Sequence, residues 1–539
     1  MPELAEAVAS GKLSQLFIQE QPLSSCLVKA LLADPTQPES SAHPPGSRAA
    51  SGHVYALESS SAALRGSCSS QTPIYPPLYA TNWVEPPVPI LKHGLTLVAA
   101  ETHPRNVLLK FEDNQGRTYW LQVQLLKHTI TQIYNKVDWD EAICVVDSLS
   151  RGFKIGIAIE FEHHVLAFTT LDLLIQFYWA ETREALPAQQ PDVYLEFPRF
   201  LEDLVAWIER RRTVQSHRAG NAMTLVRNST EIFSGAGAYT LPEIWHMAGL
   251  SPNLTEAEVF DSPSRVGRLC GAYYHLGKEV HTTLWPFVQR FLVDYVICVR
   301  DEHRRLYSDR LHVYGKDRAY VTSRFSELLV DFKEVCESHS SDDLWIREFD
   351  DVKGPFDVFE PDLIRHALEN EEVNLGSLIF GPEKWAELHS HAGLPASCLR
   401  SDDVLSKFFS TTPIPANMSA TWLSPFAYRY LFNDGGKAAL QASHPTTLLY
   451  RASATNIWSV IPAYPPNSAP ILRPKPPQLP KALADPSKAK RNSTSSRSRV
   501  PPRPKTPVAS KAQAPLISRE SKHAEICVFR CFNRAHDPK

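Results

Sequence analysis

Between Leu284 and Leu306 apolar residues return at three-, four- and seven-residue steps: Leu284, Val288, Phe291, Tyr295, Val299 and Leu306. That is the period of one helix face. Phe287, Leu292 and Val296 widen the stripe, and Pro286 suits a first helical turn, where an N–H has no partner to lose. The charged run Asp301–Arg305 marks where such a helix would leave the core. The spacing predicts a long, largely buried helix around which the other elements must pack. It predicts a core and names no chemistry.

A chain of 539 residues, 43% hydrophobic and 10% aromatic, can build two or three ordinary domains. Its 43 Pro against 22 Gly point to extended linkers rather than tight turns. A net charge of −3 excludes a protein that is basic throughout, so any nucleic-acid contact must be local. Nine scattered Cys, an odd number, suit a reduced intracellular protein better than a disulfide framework. Glu3 and Glu6 stand where a signal peptide needs basic residues, and no run of 18 apolar residues occurs. The expectation is a soluble, intracellular chain, cytoplasmic or nuclear, without a membrane contact.

Taken in order, residues 1–33 read as a short N-terminal helical segment broken near Pro22. Residues 34–89 turn rich in Ser, Pro, Ala and Gly and read as a flexible linker. In 90–197, Leu95–Ala99, Val107–Phe111 and Thr118–Val123 read as strands, with Asp113–Gly116 as a turn. Phe153–Phe161 and Val165–Thr169 form a second strand pair, and Trp139–Leu149 and Leu171–Ala185 read as helices. Residues 198–461 are mainly helical: an apolar stripe over Leu201–Ile208, then Val266–Val280, the long helix, Tyr320–Cys336, Asp362–Glu371 and Glu383–His389. Residues 462–522 hold 14 of their Pro before position 521 and are expected to be disordered, with a short ordered patch at 523–539. The fold class is α+β, a small mixed strand and helix unit packed on a larger helical region.

Strong catalytic signatures are missing. There is no G-x-x-x-x-G-K-[ST], no G-x-G-x-x-G after a strand, no G-x-S-x-G and no H-E-x-x-H. Ser234–Gly237 is a small-residue loop without the strand or the Lys that phosphate binding would need, and reads as a turn. The best acidic constellation is Glu160, Glu162 and His164, which a period of two would place on one strand face. With Asp138 or Asp140 they could ligate a divalent metal for hydrolysis. The simpler account is a solvated turn. His389 and His391 most simply complement the C-terminal dipole of a helix. His523, Cys527, Cys531 and His536 run at spacings of four, four and five, a weak zinc pattern beside plain packing of Phe529 and Phe532. His275 and Glu279, four apart on a helix, read as a core or surface pair. No cofactor is expected.

Charge is more informative. Residues 327–372 carry 15 Asp and Glu against 4 Lys and Arg, whereas 471–522 carry 13 Lys and Arg against 2 acids. Lys488, Lys490, Arg491, Arg497, Arg499, Arg503 and Lys505 form a basic run without aromatics, suited to phosphate backbones but not to base stacking. P-x-x-P spacings at Pro474–Pro480 and Pro501–Pro507 suit adaptor modules. These patterns favour an interaction or scaffold protein with a protein partner and a basic, Pro-rich regulatory tail that contacts nucleic acid or adaptors. The other reading is a metal-dependent hydrolase or nuclease built on residues 138–164.

Overall fold

The computed structural model describes residues 3–67, 69–77, 90–126, 128–214, 218–252, 254–314, 319–321, 359–412, 446–452 and 458–464. Most of Tyr320–Cys336, the basic run, both P-x-x-P stretches and the His523–His536 set lie outside the described residues.

The chain begins with helix α1 (Leu4–Glu20), whose small and apolar residues are buried on several sides. The first strands, β1 (Ala30–Ala33) and β2 (Tyr55–Ala56), are followed by the hairpin β3 (Leu64–Ser67) and β4 (Ser70–Pro73). Then come β5 (Thr96–Thr102), β6 (Asn106–Glu112), β7 (Thr118–Leu125), β8 (Thr129–Asn135), β9 (Lys154–Glu160), β10 (His164–Thr170) and β11 (Ile175–Ala180). They form two antiparallel sheets, ordered β2-β1-β9-β10-β8 and β11-β7-β6-β5. Asp113 closes the β6–β7 turn by accepting from the N–H groups of Gln115 (2.8 Å) and Arg117 (3.0 Å), with Gly116 at φ 76°.

Both sheets turn apolar residues into one core, Val107, Leu109 and Leu121 from one and Ile133, Ile157 and Leu166 from the other. A second core lies in the helical region. Its walls are α2 (Phe197–Val214), α3 (Thr240–Met247), α4 (Pro263–Glu279) and shorter helices at Gly376–Phe380, Pro382–Ala392 and Val404–Thr411. The α+β class holds, and α1 belongs to both halves. Ala7, Leu13 and Phe17 enter the sheet core, whereas Leu4 and Val8 enter the helical one. The first turn of the chain therefore sits where the two meet. A further antiparallel sheet joins Ala319–Val321, Thr446–Ala452 and Trp458–Tyr464.

Three sequence expectations are corrected. The long helix over Leu284–Leu306 is not one element: α4 ends at Glu279, and a wide turn and a short helix carry the chain to Gln289. Leu292–Val293 and Val296–Ile297 then make a two-stranded hairpin before a helix at Asp301–Arg310. Asp294 and Tyr295 both take positive φ, 47° and 65°, as a two-residue hairpin turn requires. Ile297 is buried in the sheet core, and its N–H donates to Gln132 Oε1 at 2.9 Å. Burial against the sheets thus outweighs a helical period that the same residues also satisfy. Leu171–Ala185 holds strand β11 rather than a helix; Ile175, Phe177 and Trp179 are β-formers, and β7 supplies the ladder partner. The presumed linker instead carries β2, β3 and β4 within its described residues, 34–67 and 69–77. Its anchor is ionic. Arg65 is buried, donates to Glu39 at 2.6 Å and also to the Asp34 carbonyl, a contact that composition does not reveal.

Candidate functional site

Asp138, Asp140, Glu160, Glu162 and His164 do not gather into one metal site. Lys136 Nζ stands 2.7 Å from Asp140 and 3.2 Å from Glu160, so an ammonium already occupies the place between those carboxylates. Asn135 caps the turn that holds Asp138, its Oδ1 accepting from the Asp138 N–H at 2.8 Å and its Nδ2 donating to the Asp138 carboxylate at 2.6 Å. Glu162 is exposed in the β9–β10 turn, and His164 packs its ring against Phe17 (5.3 Å) and Tyr295 (5.8 Å). Burial lowers the His164 pKa. The arrangement is a salt-bridged surface cluster. His389 lies in the last turn of its helix, its Nε2 2.6 Å from the Pro395 carbonyl, and His391 follows it there.

A different acidic centre is formed at the first turn of α1. Glu3 is 1% exposed and Glu6 is buried beside it. The Glu3 N–H donates to Glu6 Oε2 at 2.8 Å, as in a capping box. The Glu3 carboxylate accepts from the backbone N–H of Tyr239 (3.0 Å) and of Thr240 (2.7 Å), where α3 begins. The loop Ser234–Gly237 wraps this turn. Gly235 takes φ 84° and accepts from the Leu4 N–H at 3.0 Å, and a Cβ at Gly237 would fall 2.3 Å from Glu3 Oε1. The small residues there are thus required by the close approach of a carboxylate.

Burial sets the electrostatics. It lifts the Glu3 pKa to about 8 against the hydrogen bonds from Thr240 and Tyr239, with Glu6 adding to the rise. Burial also lifts Glu6 to about 7, opposed by the Glu3 N–H and the Tyr239 hydroxyl. Among the described residues no Lys or Arg forms an ion pair with either. Near neutral pH the pair therefore holds at least one exchangeable proton.

Directly behind Tyr239 and Thr240 lies a cavity of about 440 Å³. It opens between α3, α4 and the segments around residues 307–312 and 362–366. Glu243 fixes one wall, accepting from the N–H groups of His312 (2.6 Å), Val313 (2.9 Å) and Tyr314 (2.6 Å). The cavity is also lined by His275, Glu279 and His366. Sequence reading used Glu3 and Glu6 only against a signal peptide. Nothing local marks them, because their burial comes from a loop more than 230 residues away.

The fold and site define an α+β protein whose N-terminal helix carries a buried, protonatable carboxyl pair beside a cavity. No protein-family model matches the chain, and no curated protein matches it. Some solved structures overlap loosely. A Lactococcus lactis formamido-pyrimidine DNA glycosylase bound non-covalently to DNA with an abasic site is 13% identical at TM-score 0.29, covering 42% of this chain and 77% of that one. A complex of the Lactococcus lactis enzyme with abasic-site DNA is 10% identical at 0.32, covering 59% and 94%. A viral DNA glycosylase is 11% identical at 0.28, covering 42% and 81%. TM-scores at this level establish no common fold.

Proposed function

We propose that the protein contacts nucleic acid and carries out acid–base chemistry on it, with Glu3 as the proton-transferring carboxyl and Glu6 as the group that tunes it. The observation that carries this reading is the pair of neighbouring carboxyls raised to about 8 and about 7 by burial. A carboxyl that titrates near neutral pH can both give and recover a proton, which is what general acid–base catalysis needs. Cleavage of a glycosidic or phosphodiester bond leaves on an atom that benefits from such a proton. The sequence of the tail supports a phosphate-bearing ligand: Lys488, Lys490, Arg491, Arg497, Arg499, Arg503 and Lys505 suit a polyanion.

The test uses the full chain with end-labelled duplex DNA, intact or with an abasic site, the ligand in two of the structures above. Glu3→Gln should slow cleavage by roughly 100-fold or more, as loss of a general acid does, with binding unchanged. Removing 465–539 should weaken binding and flatten its salt dependence. Cleavage by Glu3→Gln at the wild-type rate would remove Glu3 from the chemistry; no binding of wild type at low salt would end the reading.

A second reading keeps the protein non-enzymatic, a scaffold whose basic, Pro-rich tail meets adaptors or nucleic acid. It is favoured by both oxygens of Glu3 already holding backbone donors, which a purely structural cap would also do. Its signature is tail-dependent binding with no turnover on any duplex.

A further inference from the structure

We infer that His275, Glu279 and His366 form a binding site for one divalent transition-metal ion, zinc in the first instance. The argument starts from α4, where His275 and Glu279 lie four residues apart and so share a face. His366 comes from the short helix Arg365–Leu368, and its ring stacks on that of His275 beside the cavity. One ligand atom from each residue lies within 4.8 Å of the other two, and among the described residues no other such group of three occurs. His366 Nε2 and Glu279 Oε1 are already 3.6 Å apart. Ligands about a tetrahedral zinc, with bonds of about 2.0–2.2 Å, stand roughly 3.4 Å from each other, so closure needs only side-chain adjustment.

Hydrogen bonding points the same way. The two imidazoles stack with ring centres 4.8 Å apart, yet Nδ1 of each is buried and has no hydrogen-bond partner. A buried ring nitrogen without a partner is costly, and two imidazoles with a carboxylate are a donor set that a borderline-soft cation takes. Of the nearby cations, Arg365 contacts Glu369 at 2.6 Å, and the Arg310 guanidinium lies over the Phe287 ring at 5.0 Å while its charge also acts on Glu279. Lys278, next to Glu279 in sequence, is the remaining basic residue on that stretch of α4.

Three protein ligands leave a coordination position, and here it faces the cavity rather than packed protein. The site is thus of the open kind that holds a water or a ligand atom. The same cavity is lined by Tyr239 and Thr240, the residues whose N–H groups bind Glu3. The site does not depend on the nucleic-acid reading, and its test needs no substrate.

The experiment is cobalt and zinc titration of the chelator-stripped full chain, followed by the visible ligand-field absorption of Co²⁺ and by calorimetry. The chain carrying Cys527→Ser and Cys531→Ser is titrated in parallel. Thiolate ligation produces an intense near-ultraviolet charge-transfer band, whereas a nitrogen and oxygen site does not, so binding by the tail is recognised. One Co²⁺ per chain without that band is expected, persisting in the Cys→Ser chain. Glu279→Gln and His366→Gln should each weaken it at least tenfold, with circular dichroism unchanged. If either variant unfolds, His275→Gln gives the same reading from the other ring. No uptake by wild type, uptake lost with the two cysteines, or uptake indifferent to Glu279 and His366 would overturn the assignment.

Discussion

Asp34 and Glu3 are both acidic side chains closed off from water, 0% and 1% exposed, and they differ in what answers them. Asp34 Oδ2 accepts from the Ile155 N–H at 2.6 Å and contacts the Arg151 guanidinium. Arg151 is itself fixed by the carbonyls of Ile143 (3.0 Å) and Phe153 (3.2 Å). Charge meets charge, and the ensemble locks β1 to β9 and the start of the supposed linker. Glu3 is met by the N–H groups of Tyr239 and Thr240, by the Thr240 side chain and by a second acid. A buried carboxylate held by a guanidinium is architecture. One held by dipoles, with a pKa near neutrality, keeps a proton to exchange.

The largest test of this contrast removes the guanidinium. Arg151→Met leaves Asp34 buried without its ion-pair partner, and a broken buried pair costs about 3–5 kcal/mol. Urea unfolding should show a loss of that size, and adding Asp34→Asn should restore much of it. A loss below about 1 kcal/mol would mean that Asp34 is not held by charge, and the contrast with Glu3 would vanish.

The second test is pH. The folded pKa of Glu3, about 8, lies above its ordinary value of 4.5, so between those limits the folded state binds more protons than the unfolded one. Its contribution to stability is complete below about pH 4.5 and is lost as pH rises through about 8. Glu6 has the same sign, over a window ending near 7. Unfolding free energy should therefore fall by on the order of a few kcal/mol between pH 5 and 8, and Glu3→Gln should flatten that slope. Equal slopes in wild type and Glu3→Gln would show that Glu3 is ionised throughout and cannot serve as an acid.

These centres also mark what could be read from the sequence. The strands around the Asp113–Gly116 turn and the β9–β10 pair were legible because turn chemistry and alternation act within a few residues. Helix α4 was legible because Pro263 and an apolar face lie within its own turns. The Leu292–Ile297 hairpin was not, since its apolar residues satisfy a helical period equally well and only contact with Gln132 and Phe17 decides. Glu3 needed Gly237 and Thr240, and His275 needed His366, partners distant along the chain. Spacing finds ligands that share an element; it does not find those that come from separate elements.

The smallest effect belongs to the cluster that spacing did find. Lys136 is 29% exposed and bridges Asp140, itself 53% exposed, and Glu160 at 21%. Ion pairs in such contact with water contribute about 0–1 kcal/mol, since solvent already stabilises each charge. The bridge raises the Lys136 pKa through Asp140 and Glu160, against the opposing effect of partial burial. Lys136→Met should thus lower stability by less than about 1 kcal/mol, and most of that difference should disappear in 1 M salt, where screening acts within about 3 Å. Any midpoint shift with millimolar Mg²⁺ or Mn²⁺ should be the same in wild type and in Asp140→Asn and Glu160→Gln, because the ammonium stands where a cation would need to sit. A clear rise in midpoint that Asp140→Asn and Glu160→Gln abolish would return the metal role to this hairpin, and the line drawn between exposed and enclosed carboxylates would have to be redrawn.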